Sequence, residues 1–142
     1  MTIENVKPVA GVMDDSETPF GPVIFSYTRA QALADGFQVD VSAVAREAGI
    51  KFPVYLTRAV FDSFVSVPAG VSGQDEAGRL WDVVWMLRHG INRSAGGPLL
   101  KFSLYVRNDN RRAKLVTLKA SCGPVDIDNP APAITVMLTD ED

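Results

Sequence analysis

A chain of 142 residues that is 46% hydrophobic and 22% charged has the size and make-up of one globular domain, and it can bury a core without metals or disulfides. A net charge of −3 and a pI of about 5.1 speak against a sequence-independent nucleic-acid binder, which needs a basic face, and are too mild for a polyanion mimic. The lone cysteine, Cys122, rules out an intrachain disulfide or a cysteine-based zinc cage and fits a reducing cytoplasm, and no apolar run reaches transmembrane length.

Residues 1–19 lack periodicity, and the run from Asp14 to Pro19 reads as a flexible, solvated arm. The arm has neither the basic start nor the apolar run of a signal peptide, so a cytoplasmic location is expected. The remaining residues, 20–142, read as one domain. Val23, Ile24 and Phe25 form a short apolar strand. Thr28 can cap a helix whose inner side is Ala30, Leu33 and Ala34, and Gly36 can end it. Phe37, Val39 and Val41 alternate with polar residues as a second strand. Ser42 is the expected cap of the next helix, which stops at Gly49. Pro53 limits any strand around it to an edge or a strand start. Thr57 caps a third helix in which Val60, Phe61, Phe64 and Val65 share a face, with Arg58 and Asp62 on the solvent side.

The longest helix spans Gln74 to Asn92. At a hundred degrees per residue, Ala77, Leu80, Trp81, Val83, Val84, Trp85, Leu87 and Ile91 cover one wide face. Asp75, Arg79, Asp82 and Met86 project to the opposite side, and Arg88 falls inside the apolar arc. Gly78 costs about 1 kcal/mol against alanine, which suggests close approach of another backbone. Trp81 and Trp85 border the arc and point to a homodimer contact. Beyond Pro98 the period changes to two. Leu100, Phe102, Leu104 and Val106 mark one strand, Val116, Leu118 and Ala120 a second, and Ile134, Val136 and Leu138 a third. Residues from Cys122 onward read as a long loop before that third strand. The expected fold is α+β: a three-stranded antiparallel C-terminal meander against a long central helix, with an N-terminal strand-helix-strand-helix unit.

The sequence holds no coherent catalytic set. His89 is the only histidine, and no nucleophile motif accompanies it. Cys122 has no evident base. Asp126 and Asp128 resemble a fragment of a calcium loop but lack its glycine and distal glutamate. No metal site and no cofactor is expected. The candidate binding residues are Tyr27 and Arg29 at a strand-to-helix turn, Asp75, Glu76 and Arg79 at the start of the long helix, and Arg111 and Arg112 at a hairpin tip. The tip, from Arg107 to Lys114, is the route by which a nucleic acid would be bound; an acidic protein patch is the other ligand it suits.

Several stretches resemble, as a set, a family of small bacterial proteins of unknown function. They are Ser26 to Ala32, Asp35-Gly36, Val39 to Ser42, Ala45 to Gly49, Pro53-Val54, Leu56-Thr57, Gln74 to Val83, Cys122-Gly123-Pro124 and Ile134 to Leu138. The segment Gln74 to Val83, QDEAGRLWDV, is the most specific. Val125 departs from the glycine expected after Cys-Gly-Pro. The resemblance implies a setting on plasmids, phages and other mobile elements. It leads to the expectation of a non-enzymatic accessory protein that binds a macromolecular partner, with a restriction or CRISPR component as a candidate. The alternatives are a small enzyme acting on a nucleotide-type substrate, sited between Tyr27-Thr28-Arg29 and the acidic start of the long helix, and a nucleic-acid binder.

Overall fold

Strong local signals at the helix ends set the frame. The computed structural model describes residues 27–142, so the expected arm and the Val23–Phe25 strand lie outside the described residues. Helix α1 (Arg29–Ala34) begins with a reciprocal capping box. Thr28 Oγ1 accepts from the Gln31 N–H at 3.0 Å, and Gln31 Oε1 accepts from the Thr28 N–H at 2.9 Å. Gly36, at φ 79, lets the chain turn out of the helix, as expected. The helix is rotated from the expected setting: Ala32 is buried, whereas Ala30 and Ala34 are exposed. The reason is Arg29, one turn before Ala32, which turns toward the sheet.

Strand β1 (Gln38–Asp40) leads into α2 (Ser42–Glu47). Val41, not Ser42, occupies the cap position. The Ser42 hydroxyl is used instead to accept the Val54 N–H at 3.0 Å, tying α2 to β2 (Val54–Thr57). Pro53 stands at the head of β2, where no strand hydrogen bond needs its missing N–H. Thr57 caps α3 (Arg58–Val60), which widens into a π-helical turn at Phe61–Val65. Arg58 and Asp62 pair on the solvent side at 3.4 Å.

Helix α4 (Glu76–Arg93) starts at Asp75, whose carboxylate accepts the Gly78 N–H at 2.6 Å. Three strands follow: β3 (Leu99–Val106), β4 (Lys114–Asp126) and β5 (Asn129–Leu138). The stretch from Cys122 is not a loop, because β4 continues through it and turns directly into β5. Pro124 lies opposite Pro132. The Cys122 N–H points to β3 and the Ile134 N–H to Pro53 at the head of β2, so by alternation each proline turns its missing N–H away from the β4–β5 ladder. The prolines therefore cost that ladder nothing.

The sheet has the order β1-β2-β5-β4-β3. All neighbours are antiparallel except β2 and β5, which run parallel. The register puts Val54, Leu56, Val136, Leu118, Phe102 and Leu104 on one face, where they meet Val83, Val84 and Leu87 of α4 and Val60 and Val65 of α3 and its π turn. Helix α1 lies on the other face, over the β1-β2-β5 side, where Arg29 stacks on Tyr55.

The apolar arc of α4 is narrower than its helical projection. Trp81 and Trp85 are 36% and 45% exposed and stack on each other at 5.7 Å. The two arginines exchange their expected roles. Arg79, projected to solvent, is 5% exposed and is the one buried charged residue among those described. Arg88 is half-buried, with its guanidinium over the Trp85 ring at 5.7 Å. The close approach expected at Gly78 is made by the capping Asp75 side chain, 3.0 Å from where a Cβ would lie, and not by another backbone.

Contact between α4 and the sheet falls instead at Gly90, where a Cβ would lie 3.0 Å from Phe102 Cβ. Phe102 Cβ is fixed to the strand backbone and cannot yield. Alanine in an open helix would gain about 1 kcal/mol over glycine, but overpacking costs about 1–3 kcal/mol. Gly90→Ala should therefore lower stability by about 1 kcal/mol, measured by urea unfolding with an unchanged m-value.

Candidate functional site

The buried Arg79 side chain sits where three segments meet. Its Nε donates to the Val65 carbonyl at 3.1 Å, one of the carbonyls left free at the end of the π turn. Nη1 donates to Gln74 Oε1 at 3.0 Å and to the Arg107 carbonyl at 2.7 Å, and Nη2 to Asn108 Oδ1 at 2.6 Å. Burial, and then the nearby Arg107 charge, lower its pKa. A guanidinium starts so high that it stays protonated. Among the described residues the site contains no carboxylate partner; carbonyl and amide oxygens carry the compensation. Asp75 caps α4 and does not pair with Arg79, although the helical projection puts both on the same side of the helix.

The same junction braces the loop between β3 and β4. Asn108 Nδ2 donates to the Ser63 carbonyl and Asn110 Nδ2 to the Gly70 carbonyl, both at 2.8 Å. The Ser72 N–H donates to Asn110 Oδ1 at 3.0 Å, and Arg107 donates to the carbonyls of Ser72 and Asp109. Arg107 is thus a brace rather than a free cation. Arg111 and Arg112 are exposed on this loop, and neither guanidinium has a hydrogen bond or ion pair among the described residues. Asp75 and Glu76 are exposed at the start of α4.

A second cluster lies across the sheet. The Arg29 guanidinium stacks 4.1 Å over the Tyr55 ring. It donates to Gln38 Oε1 at 2.8 Å, Thr135 Oγ1 at 3.0 Å and the Val125 carbonyl at 2.5 Å. The Asp126 carboxylate accepts the N–H groups of Arg29 and Ala30, both at 3.0 Å. The first turn of α1 therefore already holds an anion, and that anion is a side chain of the protein. Partial burial would raise the Asp126 pKa, but the N–H donors of Ile127, Ala30 and Arg29, together with the Arg29 charge, outweigh it and leave the pKa below the usual aspartate value. The Tyr27 hydroxyl donates to Asp35. Desolvation and that carboxylate push its pKa up to about 12, so it remains a phenol.

The structure therefore separates the residues that the enzyme alternative required together. Tyr27 and Arg29 belong to the outer face of the sheet with Tyr55, while Asp75, Glu76 and Arg79 belong to the core-face layer that contains α4. His89 and the free thiol of Cys122 are exposed. Among the described residues, no group of three or more His, Cys, Asp or Glu side chains is placed to hold a metal ion, and no helix is long and apolar enough to cross a membrane. Spacing alone did not point to Asn108, Asn110, Gln38 or Thr135. Asp126 stood out only as a loop carboxylate.

A single α+β domain, with a five-stranded mixed sheet and a long helix on one face, is the class of protein this geometry defines. The chain belongs to the family of unknown function DUF6573, whose profile matches residues 19–142. No curated protein and no solved structure matches it.

Arg79→Met leaves buried carbonyls at Val65 and Arg107 without a donor, each worth about 1–3 kcal/mol. The loss should total about 2–4 kcal/mol in chemical unfolding, and Arg79→Lys should not restore it, because an ammonium cannot span four acceptors. Arg88→Ala should cost about 1 kcal/mol, the contribution of its contact with Trp85. Asp126 provides the pH test. Its folded pKa is depressed, so its contribution is fully present above the unfolded value of about 4 and disappears as pH falls through the lower folded value. The thermal midpoint should fall across that acid window, and Asp126→Asn should flatten this part of the profile.

Proposed function

We propose that this protein is a non-catalytic binding protein that engages a protein partner through the β3–β4 loop, with Arg111 and Arg112 as its contacting cations. The bracing of that loop supports the reading. Asn108, Asn110 and Arg107 fix its backbone to the segment before α4, while the two following arginines have no partners among the described residues. A loop held this way loses little conformational entropy on binding, and arginine is enriched among the residues that dominate interface energetics. The partner surface is acidic by complementarity. The other cations singled out by sequence, Arg29 and Arg79, are spent on the fold and have little left to offer a substrate.

The family resemblance suggests the biological setting of this reading: an accessory protein of mobile elements that inhibits a host-defence component, either a restriction enzyme or a CRISPR effector. Bacteria carrying such a system and challenged with phage provide the test. Expression of the protein should raise plating efficiency, and the Arg111→Glu/Arg112→Glu variant, with an unchanged melting temperature, should behave like an empty vector. Protection by the variant equal to wild type would reject the loop as the binding site. The net charge of −3 weighs against a nucleic-acid ligand for the same loop. A labelled DNA duplex should therefore show no binding at ~150 mM salt; duplex binding lost in the double variant would replace the protein partner with nucleic acid.

A further inference from the structure

Arg79 spends all but one of its N–H donors on the fold. A guanidinium carries five. Nε and both Nη1 donors are taken, and Nη2 gives one of its two to Asn108, so one Nη2–H has no acceptor among the described residues. Arg79 is 5% exposed, and donors buried to that extent are seldom left unpaired.

Two neighbours repeat the pattern. Gln74 uses its Oε1 to accept from Arg79, and its Nε2 has no acceptor among the described residues. Arg107 commits Nη1 to Asp109 and Asn110 and Nη2 to Ser72, and its Nε–H is unpaired among the same residues. Arg79, Gln74 and Arg107 all line one hollow of about 180 Å³ between α4 and β3.

The rest of the wall is of two kinds. Phe64, Leu104 and Val106 make it apolar. Asp82, three residues after Arg79 on α4, brings its one carboxylate. Asp82 has no ion pair among the described residues. Partial desolvation raises its pKa, so its charge lacks compensation. An anion alone would be repelled by Asp82, and a cation alone would meet two arginines. A ligand that carries both charges satisfies the whole wall.

We propose that this hollow is a binding site for a small zwitterion, an α-amino acid with an apolar side chain. Its carboxylate accepts from the unpaired donors of Arg79, Gln74 and Arg107, its ammonium donates to Asp82, and its side chain lies against Phe64, Leu104 and Val106. The volume fits a ligand of that size: drug-sized molecules occupy pockets of about 300–1,000 Å³, and this hollow is smaller. The site is separate from the exposed Arg111 and Arg112, although Arg107 both lines the hollow and braces their loop.

Isothermal titration calorimetry of the full chain with L-valine, L-leucine, L-methionine and L-phenylalanine tests this. At least one should bind at one site per chain with a Kd below ~1 mM. The matching acid without the amino group, and the matching amine without the carboxylate, should each bind at least ~10-fold more weakly. Gln74→Glu keeps an acceptor for Arg79 but replaces the unpaired amide donors with an oxygen. It should abolish binding without lowering the melting temperature. Asp82→Asn should weaken the amino acid at least ~10-fold and bring it level with its deaminated acid. Arg111→Glu/Arg112→Glu should bind the amino acid as wild type does, so failure of this site and failure of the partner-binding loop are separate results. The proposal is overturned if none of the four amino acids binds up to ~10 mM, or if the deaminated acid binds as tightly as the amino acid. It is equally overturned if Gln74→Glu or Asp82→Asn, still folded, leaves the affinity unchanged.

Discussion

The fold turns on one buried guanidinium. Arg79 collects oxygens from the end of the π turn, from Gln74 just before the α4 cap and from the two residues that follow β3. Each is a point where the chain leaves one element for another, and each would otherwise bring an unsatisfied acceptor into a closed junction. A lysine offers no planar fork with which to meet them together. Among the described residues the charge has no carboxylate partner, and the carbonyl at a helix end supplies partial negative charge in its place. The π turn fits this arrangement: it ends in an i to i+5 bond from Ser66 to Phe61, and the Val65 carbonyl is left to Arg79.

Arg29 serves a related purpose on the opposite face. It lies flat on Tyr55 and reaches β1 through Gln38 and β5 through Thr135, while Asp126 on β4 accepts its backbone N–H. Helix α1 has six residues, too few to hold itself on a sheet by apolar burial alone. Ala32 is its one buried residue. Polar anchoring replaces the missing apolar area and explains why the helix turns an arginine, rather than its alanine row, toward the sheet. The sheet lies between the two arginine clusters, so each is a local fastening with its own ligands.

Most of the local structure was legible in the sequence. Thr28 and Thr57 cap where hydroxyl chemistry places them, Gly36 and Gly49 take positive φ where helices end, and the alternation from Leu100 onward gives the meander. The parallel pairing of β2 with β5 was not legible, because it joins segments about eighty residues apart with no local signature. The prolines of the β4–β5 hairpin imitated a loop, since sequence alone does not reveal which way a missing N–H points. The arginines were misassigned for a similar reason. A helical projection gives the angle of a side chain but not what folds over it, and the loop between β3 and β4 closes over Arg79. Of the candidate binding residues, Arg111 and Arg112 lie on a surface loop as a polar hairpin tip suggested. The asparagine bracing beneath them depends on carbonyls at Ser63 and Gly70, distant in sequence.

This bears on how the most specific family segment, Gln74 to Val83, should be read. Its acidic and basic residues in close order invite an active-site interpretation. In the structure Gln74 is a ligand of Arg79, and Asp75 is the α4 cap. At Gly78 any Cβ would press on the Asp75 carboxylate, so the cap and the glycine form one unit. Val83 is fully buried against the sheet. Gln74, Asp75, Gly78 and Arg79 are therefore accounted for by the junction that starts α4. Glu76, Ala77, Trp81 and Asp82 lie exposed, and the junction requires none of them. A motif can be specific because its architecture is demanding, and in that case function is better sought in the members the architecture leaves unused.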